Sequence, residues 1–376
     1  GWRRSRGEQM IKVMVVDDSP LVRKIASDIL SRECGIEVVA TASRAEIGLR
    51  KMHRAEPDVI TMDIEMPGMG GLEAIEEVMR SRPVPVIVMS AFARRGAELT
   101  MQALEKGAVD FIAKPAASLS GGIMDIAAEL VAKVRQASGI DVKRSQEVKP
   151  GLEGAGRGAE GRPEGGIKPG KHTGIRDIVA MGTSTGGPVA LKHVLMKLPE
   201  DMPVGVVVVQ HMPPVFTGAF AARLDMLCGV SVKEAADGDE IAPGRVLIAP
   251  GDYHMTVDDS DGLGRVELHR WAPVSGHRPS VDVLMHSVAR EYGRRAVGVI
   301  MTGMGKDGAE GIGEMKDRGA YIIAQDKRSS VIYGMNKEVI ERGDADEAVG
   351  LEQIAARVME QLTEKKEANG FSKNFR

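Results

Sequence analysis

The sequence predicts an α/β protein of two doubly wound domains joined by a flexible segment. Three observations carry this. Short apolar runs alternate with amphipathic stretches at helical spacing towards both ends of the chain. Polar residues recur directly after those apolar runs. Between the two halves lies a stretch almost free of apolar side chains. At 376 residues the chain is too long for one ordinary core, and its 43% hydrophobic content is that of a globular protein. A net charge of −3 gives no footprint for nucleic acid, and no apolar run reaches membrane-spanning length. Cys34 and Cys228 stand far apart without metal-ligand spacing, as reduced thiols do. The first nine residues, GWRRSRGEQ, are basic but lack the apolar core of a signal peptide, and read as a disordered tail.

In the first half, residues 12–16 form an apolar strand, and Ser19 with Pro20 marks the start of a helix to about residue 32. Strands follow at 36–40, 58–62, 84–89 and 109–113, with helices at 44–54, 71–81, 98–106 and 123–137. Five such βα units make a doubly wound parallel sheet. Asp17, Asp18, Asp63, Ser90 and Lys114 all fall at the carboxyl ends of strands, the edge where such sheets build sites. Three converging carboxylates repel one another unless a cation neutralises them, and hard oxygen ligands suit Mg²⁺. A lysine and a hydroxyl nearby can hold the oxygens of a transferred phosphoryl group.

The motifs VVDDSP, TMDIEMPGMGG, VMSA and DFIAKP stand in an order that resembles the response-regulator receiver family, over residues 10–138. The resemblance implies that Asp63 is the phosphoacceptor and that Asp17 and Asp18 complete an Mg²⁺ site, Asp18 by direct contact. It makes Ser90, Phe111 and Lys114 the phosphorylation switch: a hydroxyl, an aromatic ring and a phosphate-binding lysine. Residues 139–174 are rich in Gly, Glu and Lys and cannot bury enough surface to offset ordering, so they read as a flexible linker.

The second half is organised around residues 178–188, IVAMGTSTGGP. Residues 178–181 read as a buried strand, the glycines permit a tight turn, and Pro188 opens a helix to 195. Ser184 would project from this turn beside a helix N-terminus that favours negative charge. An ordinary Gly-rich turn, or an anion cradle without chemistry, is equally compatible with this stretch alone. Further strands are expected at 204–209, 246–249, 296–301 and 321–324, with a hairpin pairing 255–257 and 266–268 around Asp261-Gly262. Helices are expected up to 292 and over 351–364, before a polar tail at 366–376.

Ser184, His211 and Asp307 each follow a different strand, which brings them to one crevice of an open parallel sheet. A serine needs a general base, and the base needs an acceptor that fixes its tautomer. The order Ser…His…Asp is not that of α/β-hydrolases, so G-x-S-x-G does not place the domain in that fold. His53, His193, His269 and His286 lie on expected helices or strands; His254 and His277 are the competitors to His211. A non-enzymatic module binding an anion at the Gly-rich turn is the rival reading. A dinucleotide site would need G-x-G-x-x-G spacing, and no basic helix-turn-helix stands out.

The motifs MGTSTGGP, VVVQHMPPVFT, LIAPGDYHM, GHRPSVDVLMHSVA and VIMTGMGKDGAEG make residues 175–365 similar to the catalytic domain of the chemotaxis protein-glutamate methylesterase family. The resemblance implies a Ser184–His211–Asp307 triad, with Thr185, His277 and Met304 lining the site and the Met304 N–H in the oxyanion hole. It implies hydrolysis of glutamyl methyl esters on chemoreceptors, deamidation of receptor glutamines, and activation by a chemotaxis histidine kinase through Asp63. No cofactor is expected in the esterase site, and no nucleic-acid partner or membrane insertion. The protein would be cytoplasmic and monomeric. Lys306 and Asn336 depart from the family pattern, in which Asn and Pro are usual. Because the linker can only tether, inhibition would come from the receiver docking over the crevice with the face bearing Ser90 and Phe111.

Overall fold

The computed structural model describes residues 10–114, 122–142 and 178–370. The expected tail at 1–9, nearly all of the expected linker and the last six residues lie outside that set. Among the described residues the chain forms two parallel sheets and one hairpin, so the expected two-domain α/β architecture is present.

The first sheet has the order β2-β1-β3-β4-β5, from β1 (Ile11–Val16), β2 (Ile36–Ala42), β3 (Val59–Asp63), β4 (Val86–Ser90) and β5 (Asp110–Ala113). Every residue of β3 and β4 is buried, because helices cover both faces of the sheet. These helices are α1 (Pro20–Ser31), α2 (Ala45–Ala55), α3 (Gly71–Ser81), α4 (Arg94–Lys106) and α5 (Gly122–Ala137). Ser19 caps α1 by accepting from the Val22 N–H at 3.4 Å, with Pro20 at the first helical position. Helix α4 starts four residues earlier than its apolar spacing suggests. Gly96 and Ala97 pack against the sheet end, and the Gly96 carbonyl accepts from both Ser90 Oγ (3.0 Å) and Thr100 Oγ1 (2.7 Å).

The second sheet is wholly parallel in the order β14-β13-β12-β6-β7-β9-β8. Its centre is β6 (Ile178–Thr183), flanked by β7 (Gly205–Gln210) and β12 (Ala296–Ile300), and all three are buried throughout. The chain leaves β6 towards β7 and later returns on its other side to β12, so a topological switch point lies beside β6. Helices α6 (Gly187–Leu195), α7 (Phe216–Leu227), α8 (Val281–Tyr292), α9 (Ala309–Asp317), α10 (Met335–Arg342) and α11 (Leu351–Gly370) complete the layers. Strands β8 (Ser231–Glu234), β9 (Arg245–Ile248), β13 (Tyr321–Gln325) and β14 (Glu347–Val349) extend the sheet to its edges. The hairpin of β10 (His254–Asp258) and β11 (Arg265–His269) stands apart, as the Asp261-Gly262 turn suggests.

Sequence spacing misses α7, α9, α10, β8 and β14. The two strands are edge pieces of three or four residues with mixed burial. Helix α7, FTGAFAARLDML, shows little contrast between faces because α4 of the first domain packs on it.

The two domains touch through specific groups. Phe111 at β5 stacks on Phe216 of α7 with ring centroids 4.6 Å apart, and Phe92 tilts against the same ring at 6.1 Å. Glu105 of α4 accepts from Lys192 Nζ (2.8 Å) and, through both oxygens, from Arg223 (3.2 and 2.9 Å). Thr185 donates to Asp110 Oδ2 at 2.7 Å. Beyond α5 the packed chain continues to Ile140 and Val142, both buried, four residues into the stretch expected to be linker.

Candidate active site

Register brings the candidate reacting groups together. Thr183 pairs with Gln210 across β6 and β7, so Ser184 and His211 are the next residues on adjacent strands. Thr302 and its loop follow β12 on the other side of β6. The Ser184 N–H donates to Thr302 O (3.0 Å), its carbonyl accepts from Gly187 N (2.8 Å) and Gln210 Nε2 (3.0 Å), and the His211 N–H donates to Thr183 O (3.1 Å). Both peptide faces of the turn are therefore tied to neighbouring strands. Gly186 takes φ +78°, and a Cβ there would come within 2.6 Å of Val331. The turn then enters α6, whose N-terminus places partial positive charge beside Ser184.

His211 Nε2 lies 2.7 Å from Asp307 Oδ2. Three further donors hold the same carboxylate: Ser280 Oγ at 2.7 Å, Val281 N at 2.7 Å and Asp282 N at 3.3 Å. Burial pushes the Asp307 pKa up, but the hydrogen bonds from His211, Ser280 and Val281 outweigh it and bring it to about 2. An ionised Asp307 fixes the proton of His211 on Nε2. Nδ1 is then the unprotonated nitrogen, and it is buried with no hydrogen-bond partner among the described residues. A base with an open nitrogen, in the same cavity as a serine, can take that serine's proton.

The cavity is about 430 Å³ and is lined by Ser184, Thr185, His211, His277 and Met304 from the second domain, facing Asp110, Phe111 and Lys133 from the first. All the expected site residues of the second domain thus meet at one place. His277 stacks on His211 at 3.8 Å, and burial together with the neighbouring imidazole pushes its pKa down to about 4. His254 is fully buried and structural: Nδ1 accepts from Ser280 N (3.2 Å) and Nε2 donates to Ala272 O (3.1 Å). Lys306 is exposed. Asn336 is buried, donating to Gln325 O (2.7 Å) and Ser330 Oγ (2.8 Å), and so braces the loop behind Thr302 rather than the cavity.

Ser280 was not legible as part of the site. Its side chain caps α8 and orients Asp307 at once. The available signal was its place as a serine just before an apolar helix. Asp110, which lines the cavity from the first domain, and Phe216, on which Phe111 stacks, carried no signal of their own.

At the first sheet's carboxyl edge, one ligand oxygen from each of Asp17, Asp18 and Asp63 lies within 4.8 Å of the others. Lys114 Nζ sits 2.9 Å from Asp17 Oδ2 and 2.6 Å from Asp63 Oδ2. Burial raises the Asp63 pKa to about 6, against the lowering by Lys114 and with a further push from Asp17. Three carboxylates this close fit a hard divalent cation. Ser90 is buried, and Phe111 points towards the other domain.

The CheB methylesterase family model matches residues 179–358, and the response regulator receiver domain model matches residues 13–120. A protein-glutamate methylesterase/protein-glutamine glutaminase from Xanthomonas campestris pv. campestris is 46% identical, covering 93% of this chain and all of that protein. One of the same name from Syntrophotalea carbinolica is 42% identical, covering 95% and 99%. The crystal structure of the Thermotoga maritima CheB methylesterase catalytic domain is 42% identical, covers 49% of this chain and 98% of that one, and aligns with a TM-score of 0.49. With relatives this similar matched from end to end, the chain belongs to the CheB family of protein-glutamate methylesterase/protein-glutamine glutaminases, a receiver domain preceding a methylesterase domain.

Proposed function

We propose that the chain is a phosphorylation-activated hydrolase that removes methyl esters from glutamyl residues of chemoreceptors, and deamidates receptor glutamines, for chemotactic adaptation. The observation that carries the reading is the Asp307–His211 hydrogen bond, which leaves His211 Nδ1 open in the cavity of Ser184. Ser184 Oγ attacks the ester carbonyl while Nδ1 takes its proton, and Asp307 stabilises the imidazolium. The N-terminus of α6 and the Met304 N–H bind the oxyanion, with Thr185 and His277 lining the substrate. The imidazolium then protonates the departing methoxide. Water, activated by the same nitrogen, releases the glutamate and restores Ser184.

The domains divide as a receiver over 10–138, a linker over 139–174 and a catalytic unit over 175–365. Asp63 accepts a phosphoryl group from the chemotaxis histidine kinase. Asp17, Asp18 and Asp63 would hold Mg²⁺, which neutralises the developing charge on that group. Lys114 is placed to meet a phosphoryl oxygen. Ser90, now bonded to the Gly96 carbonyl, would turn to another. Phe111 would follow inward and leave Phe216, weakening the contact that closes the cavity. No helix among the described residues is long and apolar enough to cross a membrane; the reading carries with it a monomeric, cytoplasmic enzyme. The test is methanol release from a methylated receptor fragment. Ser184→Ala should lower it by several orders of magnitude with the fold intact. Near wild-type release would assign the nucleophile elsewhere.

A further inference from the structure

A glutamyl ester reaches only about 5 Å from its own backbone. A protein substrate must therefore lay its main chain against the rim of the cavity, and the rim should show what it grips. One segment reaches that rim through Gly276 and His277 and continues away from it over the surface. Residues 270–276, Arg-Trp-Ala-Pro-Val-Ser-Gly, are all exposed and run directly into His277. Trp271 is 53% exposed, an unusual exposure for so large an apolar ring.

This segment is exposed but not loose. Val274 and His277 exchange both backbone hydrogen bonds, at 3.0 and 2.9 Å, around Ser275 (φ 53°) and Gly276 (φ 80°), a tight two-residue turn. Arg278 donates to Trp271 O at 2.8 Å and is itself anchored on Asp252. The buried His254 donates to Ala272 O at 3.1 Å. The Trp271 ring stacks on His269 at 3.9 Å, and His269 Nε2 is 2.8 Å from Thr256 Oγ1. Beside it the Arg270 guanidinium lies over the Tyr253 ring at 4.6 Å and 3.9 Å from Asp252 Oδ2, a loose pair that leaves most of its side chain in solvent. A rigid strap with an outward tryptophan, a proline, a valine and an arginine has the composition of a binding hot spot.

We propose that residues 270–276 are the docking arm for the substrate, and that its occupant is the glutamate-bearing helical face of the receptor. This rests on the esterase reading given above. Each ester removed leaves a carboxylate, so glutamyl groups already hydrolysed on the same face give it negative charge complementary to Arg270, while the ester being hydrolysed is neutral. An amphipathic helix would set its apolar positions on Trp271 and Val274. The turn then fixes the register, because the strap that grips the helix also carries His277, stacked on His211.

The chain holds two tryptophans, Trp2 and Trp271, so a Trp2→Phe protein has one fluorescent reporter, on the arm itself. Titrating this protein with a methylated cytoplasmic receptor fragment, in acetyl phosphate and Mg²⁺, should shift its tryptophan emission saturably. Arg270→Glu in that background should weaken the binding by about fivefold or more. In turnover, Trp271→Ala should lower kcat/KM for the receptor fragment relative to that for N-acetyl-glutamate γ-methyl ester by about tenfold, through KM. An emission that does not respond, or equal losses on both substrates, would overturn the proposal; equal losses would mean that the strap only supports His277. If the wild-type chain hydrolysed neither ester, the esterase reading would fail, while the emission titration would still decide the docking.

Discussion

His277 shows how one side chain links the site's chemistry to its stability. Its ring is stacked on His211, the proposed general base, and half-buried, and its pKa falls to about 4. An unfolded histidine titrates near 6.5, so between about 6.5 and 4 the unfolded chain binds a proton that the folded chain does not. Stability must therefore fall as pH drops through that window, by up to about 3 kcal/mol. Urea unfolding of the catalytic domain at several pH values should show a steeper acid loss for wild type than for His277→Gln. Parallel curves would mean that His277 titrates normally. Asp307 has the same sign in a lower window: its pKa of about 2 keeps its contribution present above about 4, and it is lost only in stronger acid. Neutral His277 and ionised Asp307 thus coexist at working pH, and a second positive ring does not compete with the imidazolium of His211.

At the scale of elements, strand ends organise everything. Ser184, His211 and the loop carrying Asp307 follow β6, β7 and β12, the three central strands, and their apolar runs made those positions legible in the sequence. The receiver edge was legible for the same reason, with Asp63 closing β3 and Ser90 closing β4. What supports those side chains was not. Asp307 rests on the N-terminus of α8, where Ser280 Oγ and the Val281 N–H meet it, and that contact joins residues more than 20 positions apart. Likewise α7 has no clear apolar stripe, because its second face is covered by another domain. Periodicity reports burial on one side; it cannot report a partner. Ser280→Ala removes both a helix cap and a donor to Asp307. It should cost about 1 kcal/mol of stability and lower kcat by roughly tenfold, with KM nearly unchanged. Full kcat in the variant would show that the backbone N–H groups alone suffice to orient Asp307.

For the whole molecule, the receiver lies across the crevice it regulates. Asp110 accepts from Thr185, the neighbour of Ser184, and Phe111 is stacked on Phe216, so the ring proposed as the switch aromatic itself bridges the two domains. The sequence anticipated docking through Phe111, whereas Ser90 of the same expected face is buried and bonded to the Gly96 carbonyl. It did not reveal Glu105, which joins α4 to both α6 and α7 through Lys192 and Arg223. Burial raises the Glu105 pKa, but the bonds from Arg223 and Lys192 more than reverse this, so the carboxylate stays ionised and the pair intact. Removing it should weaken docking by about 1 kcal/mol, a roughly fivefold change in the released population. Methanol release from a methylated receptor fragment, with and without acetyl phosphate and Mg²⁺, reads this directly in wild type, Asp63→Asn and Glu105→Ala. Gating by docking predicts that the phosphodonor accelerates wild type and leaves Asp63→Asn unmoved, and that Glu105→Ala starts about fivefold faster without it. Acceleration of Asp63→Asn by acetyl phosphate, or a Glu105→Ala basal rate at or below wild type, would contradict it.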